Sequence, residues 1–166
     1  MGKVQSLFEN GSPGAVTRSV DEIVISIRNA SEADIPFGAP VFLAVSGAVP
    51  FSTAAPQDFA SFLGFAVRVA DKTPDTYPSG QFNDAPEGVW HGGDVMEVLV
   101  RGGIALKTAT NGVRGGNLYI RKSDGALTGE AGEEGTTVLL ENVRVRNPRG
   151  TEGPCCEAVI NKRNII

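Results

Sequence analysis

This chain has only one histidine, one tryptophan, two methionines and two adjacent cysteines, so imidazole and thiol groups for a metal or nucleophilic centre are few. With His91 alone there is no multi-histidine metal site, and His91, Cys155 and Cys156 lack the spacing of a closed zinc site. Neighbouring cysteines rarely bridge each other, because a disulfide needs well-separated Cα atoms and facing Cβ vectors. No disulfide framework is implied, which fits assembly in a reducing compartment. No apolar run approaches the ~18 residues of a membrane span. The N-terminal stretch MGKVQSLFENGSPG has no apolar core of a secretion signal, so the Asn29 sequon is discounted. The net charge is −4 and no Lys/Arg run is present. A nucleic-acid partner is not expected, since neutralising phosphates takes a basic stripe.

Catalytic constellations are also missing. Asp94 and Glu97 are an odd number of residues apart, so a strand would put them on opposite faces. The glycine clusters RGGIAL and NGVRGGN match neither a P-loop nor the dinucleotide fingerprint. Their bland reading is a β-bulge or a hairpin corner. Asp124, Glu130, Glu133 and Glu134 flank a Gly-rich loop without calcium-loop spacing, and read as a solvated acidic turn. Neither a cofactor nor a metal is implied.

Turn formers are abundant, with 21 glycines and 10 prolines. They favour a β fold over a helical bundle. EIVISIRN alternates, with Ile23, Ile25 and Ile27 on one face. PVFLAVS (40–46) reads as a buried strand, and AAPQDFASFLG (54–64) as one helical turn or two. From Val95 on, the segments VMEVLVRGGIALKT, LYIRK, TTVLLENVRVRN and EAVINKRNII read as strands separated by Gly-rich turns. The expected architecture is one all-β domain (19–166), a β-barrel or β-sandwich. It carries an extended N-terminal arm (1–18) and a long Pro/aromatic-rich central loop (72–92).

Charge is divided along the chain. Residues 1–99 hold five Lys/Arg against twelve Asp/Glu, and residues 100–166 hold ten against seven. Such a split suits oriented docking between subunits, although both signs can also mix on one folded surface.

The order of the motifs FLGFAVRVAD, the turn-rich loop, GDVMEVLVRGGIAL and EAVINKRNII resembles the cement or head-decoration proteins of tailed bacteriophages. The elements that carry the resemblance run from Leu63 to Val69, Gly93 to Gly102 and Val159 to Arg163, within residues 38–166. VLVRG is the most distinctive piece, and the insert at 72–92 departs from the family pattern. The resemblance implies a protein without enzymatic activity that coats the outside of the capsid. It would assemble in the host bacterial cytoplasm, commonly as a homotrimer, and clamp neighbouring major capsid proteins. Lys3, Val4, Leu7 and Phe8 of the arm are then expected to engage a neighbour or the lattice. Tyr77, Phe82 and Trp90 are expected at a subunit interface, and Arg101 is expected to meet an acidic group. Two alternatives remain beside this one. One is a virion-associated glycan or host-surface binding module using Trp90 and Tyr77; the other is a phosphate-binding enzyme with its site near Arg101.

Overall fold

The computed structural model describes residues 11–17, 21–54, 56–69, 88–150 and 155–164. Eleven strands follow in chain order: β1 (Ile23–Arg28), β2 (Ile35–Pro36), β3 (Pro40–Ala44), β4 (Gly47–Pro50), β5 (Phe62–Ala66), β6 (Val89–Trp90), β7 (Val95–Lys107), β8 (Asn117–Arg121), β9 (Leu127–Thr128), β10 (Thr137–Asn147) and β11 (Cys155–Ile160). The helical turns expected in 54–64 reduce to a three-residue 3-10 turn at Phe59–Ser61, with a second at Phe51–Thr53. Asp58 caps the former by accepting from the Ser61 amide.

Nine strands form one antiparallel sheet in the order β4-β3-β5-β7-β11-β10-β8-β9, with β1 also paired to β7. The sheet curls into a half-barrel. Its two ends meet over a common core without hydrogen bonding, since Gly125 of the β8–β9 turn lies against the Phe51 ring beyond β4. β2 and β6 make a separate two-stranded ladder.

Two apolar cores lie on opposite faces of β7. Leu99, Ile104 and Leu106 enter the larger core with Phe42, Phe62 and Phe65. The phenylalanine rings stand edge-on or tilted, with centroids 5.3–5.8 Å apart, a geometry that the ring quadrupole favours. Met96, Val98 and Val100 enter the smaller core beneath the β2–β6 ladder, with Ile35, Phe37 and Trp90. Each fully buried large side chain contributes about 1.5–3 kcal/mol, so a strand apolar on both faces is the natural centre of the fold.

Seven residues of the expected arm belong to this framework. Residues 11–17 lie along β7, with the Gly14 amide donating to Ala105 O and the Thr17 amide to Gly103 O, both at 2.9 Å. Pro13 and Gly14 are buried. A Cβ on Gly14 would sit within 3 Å of Gly38 N and Ala66 O, so only glycine passes between these backbones.

Candidate functional site

Two residues pair on the rim of β7. The side chain of Arg101 is 41% exposed and bonds the carboxylate of Asp21, which supplies the acidic partner expected from the sequence. A charge that ends a strand apolar on both faces would need a partner if buried, but Arg101 stands at the half-exposed rim. The pair faces solvent, where an ion pair contributes only about 0–1 kcal/mol.

The glycine pair after Arg101 does not break the strand. β7 continues through Gly102 and Gly103 to Lys107. The irregularity falls one step earlier, where Val24 faces Leu99 but Ile23 faces Arg101, leaving Val100 as the extra residue. A bulge reverses the alternation of faces. Odd-numbered Leu99 and even-numbered Ile104 and Leu106 therefore enter the same core. Gly102 takes φ +122°, and a Cβ on Gly103 would lie 2.3 Å from Thr17 Oγ1.

The space left by that missing Cβ holds a polar node absent from the sequence-based expectations. Glu157 of β11 is a nearly buried carboxylate. Its Oε1 accepts from the Thr17 hydroxyl at 2.7 Å, and its Oε2 accepts from the Asn147 side-chain amide. Arg146 Nη1 stands 3.7 Å from Oε1. A buried charge is tolerable only when hydrogen-bonded and paired. Here it ties the N-terminal segment, β10 and β11 together over Gly103.

Trp90 is buried. Its indole N–H donates to Val67 O at 3.0 Å, and its ring meets Phe37 edge-on with centroids 6.1 Å apart. Lys3, Val4, Leu7, Phe8, Tyr77 and Phe82 lie outside the described residues. His91 is exposed on the turn into β7 and pairs with Asp34 at 2.9 Å. The Asp94 carboxylate accepts from the His91 amide, while Glu97 lies on the exposed outer face of β7. Cys155 and Cys156 are buried free thiols in β11. Loss of hydration pushes the Cys156 thiol up to about 11, which leaves it protonated and unreactive near neutrality. Asn29 is buried with its amide donated to the carbonyls of Ala33, Trp90 and His91, so the sequon asparagine is a structural clamp. Among the described residues, no three His, Cys, Asp or Glu side chains gather as a metal site would require.

The outer surface is more informative. Large apolar side chains stand exposed at Ile23, Val24 and Val95 along the β1–β7 rim, at Val45 and Val113 on loop tips, and at Leu139 on β10. Next to the apolar rim lies the Asp21–Arg101 pair. Apolar side chains with a charged border are the composition of a protein–protein contact.

Residues 3–160 match the family described as "Structural cement protein (E217 gp24/Pam3 gp6)". Among solved structures, the fold is shared by a chain of the capsid of Myoviridae phage XM1, with TM-score 0.67 and 14% identity over 92% of this chain and 91% of that one. The head fibre gp8.5 N base of bacteriophage phi29 aligns at 11% identity over 87% of this chain and 99% of that one, with a TM-score of only 0.41. No curated protein sequence matches. The match covers nearly all of the half-barrel, so the chain belongs to the phage structural cement protein family and is a structural, capsid-decorating component of the virion.

Proposed function

We propose that the protein binds the outer surface of the phage head and bridges neighbouring major capsid subunits, with copies associating as a homotrimer. The observation that carries this reading is the β1–β7 ladder, where Ile23 and Val24 stand exposed at the end that holds the Asp21–Arg101 pair and Val95 stands exposed at the other end. β1 pairs with β7, and among the described residues β4 approaches its other side only at Arg28 and Asn29, leaving the stretch before them without a second strand. A strand with an open side can accept an added strand from a neighbour. Residues 11–17 are anchored on β7, and Lys3, Val4, Leu7 and Phe8 of the segment before them would reach a neighbouring subunit. Each contact is modest, and symmetric repetition over the shell turns modest contacts into retention. The glycan-binding alternative loses one of its two named aromatics, because the Trp90 indole is enclosed within the protomer; Tyr77 lies outside the described residues.

Sedimentation of purified protein with expanded and unexpanded heads tests the reading. Binding to expanded heads, with greater resistance of those heads to heat, is the expected result. Equal failure to bind either form would overturn it. Ile23→Asp and Val95→Asp should lower the amount bound at least tenfold without changing the melting temperature by more than a few degrees.

A further inference from the structure

At the end of the sheet where the chain closes, a groove of about 420 Å³ is lined by Phe59, Glu141, Arg144, Lys162, Arg163 and Asn164. It exists because β10 is interrupted there. Leu140 faces Leu118 but Arg144 faces Asn117, so several residues bulge out of the ladder. The bulge is fixed from both sides. Asn142 donates its side-chain amide to Lys162 O at 2.7 Å, and Asn164 donates to Phe59 O at 2.9 Å and Phe62 O at 3.1 Å. Arg144 is held by the carbonyls of Glu141 and Val143. Lys162 and Arg163 are exposed and have no ion-pair partner among the described residues. Three cations against Glu141 make the groove electropositive.

The opposite charge appears on the loop that leads into β10. Glu130, Glu133 and Glu134 are exposed and likewise have no ion-pair partner among the described residues, with Lys122 as the nearby cation. The loop is preorganised. Glu133 O accepts from the amide and the hydroxyl of Thr136, at 3.0 and 2.7 Å, and Thr136 O accepts from the Lys122 amide at 2.9 Å. Order already present in the free protein need not be created on binding. Among the described residues no ion pair joins Glu130, Glu133 or Glu134 to Arg144, Lys162 or Arg163 of the same chain.

We infer that the acidic loop Glu130–Glu134 of one copy docks in the Arg144–Lys162–Arg163 groove of the next copy. The inference rests on the self-association proposed above and assigns its interface. Because the two patches differ, the contact is head-to-tail, and three such contacts close a ring when the rotation permits. Unpaired charge of opposite sign on both surfaces favours a second copy as the occupant over an unrelated acidic segment.

The test uses full-length protein on expanded heads and in solution. A mixture of isotopically light and heavy copies is treated with a carbodiimide, which joins a carboxylate to a lysine amine in direct contact. Light–heavy cross-links from Glu133 or Glu134 to Lys162 are expected. The double variants Glu133→Lys/Glu134→Lys and Lys162→Glu/Arg163→Glu should each lower self-association about tenfold or more. All four changes in one chain should restore it. Cross-links confined to single copies, or no rescue by the fourfold variant, would overturn the inference. Lower head retention in the groove variant without any cross-link between copies would also overturn it, and would assign the groove to a capsid segment. Association of copies without head binding would support the interface and defeat the cement reading instead.

Discussion

Gly103 and Glu157 show how single residues set this fold. The glycine is required by a contact, because any Cβ would collide with Thr17 Oγ1 at 2.3 Å. Gly103→Ala should therefore destabilise the protein by about 2 kcal/mol, measured as a shift of the urea midpoint. Asp21→Asn breaks an exposed pair and should change stability by less than about 1 kcal/mol; a larger loss in the same assay would show that the pair does more than screen two charges. Cys156 gives a pH dependence of definite sign. Burial raises its folded pKa to about 11 from an ordinary 9. Above pH 9 the unfolded thiol ionises while the folded one keeps its proton. Stability is then retained below pH 9 and falls by roughly 2–3 kcal/mol as pH rises to 11. Denaturant midpoints at pH 8 and pH 10.5, with Cys156→Ala as the flat control, check this. Asp124 acts at the other end of the scale: the hydrogen bond from Arg121 leads its depression to about 2. Its contribution is present above its unfolded pKa and disappears as pH falls towards 2.

Among the elements, β7 and the segment laid along it are decisive. Pattern alone located β7, because apolar residues on both faces from Val98 to Val100 leave a buried central strand as the simplest solution. The closing strand and the alternating strand at 23–28 were legible for the same reason. Residues 11–17 were not legible as sheet. Their Gly, Ser and Pro content carries no period, and they are ordered by hydrogen bonds to β7 and by the fit of Gly14 between Gly38 and Ala66. The bulge at Val100 was hidden as well, since it depends on which strand lies opposite. Two truncations separate these roles. Removing residues 1–10 should leave the melting temperature nearly unchanged and reduce head retention. Removing 1–17 should also lower the melting temperature by about 10 °C, because it strips bonds from β7 and takes the Thr17 donor from Glu157. Equal thermal stability of the two truncations would refute the anchoring role of 11–17.

For the whole molecule, the half-barrel acts as a rigid carrier of surfaces. Gly125 near one end packs against Phe51 near the other over the shared core. If charge steers docking as the divided sequence suggests, head binding should weaken several-fold between 50 and 300 mM salt. Apolar rim contacts should preserve part of it. Complete salt insensitivity, read by sedimentation of heads with labelled protein, would remove the electrostatic contribution.

The sequence by itself determined the all-β class and the central position of β7, because periodicity and residue type are local properties of the chain. Only the tertiary structure decided what Arg101-Gly102-Gly103 is for. The arginine meets Asp21 on the rim, and Gly103 makes room for the Thr17 hydroxyl, which donates to a carboxylate 54 positions beyond that glycine, at Glu157. It also placed Trp90 in the interior and left the acidic loop and the basic groove without an ion pair between them among the described residues. Those outcomes depend on which distant strands become neighbours, and no local pattern encodes that.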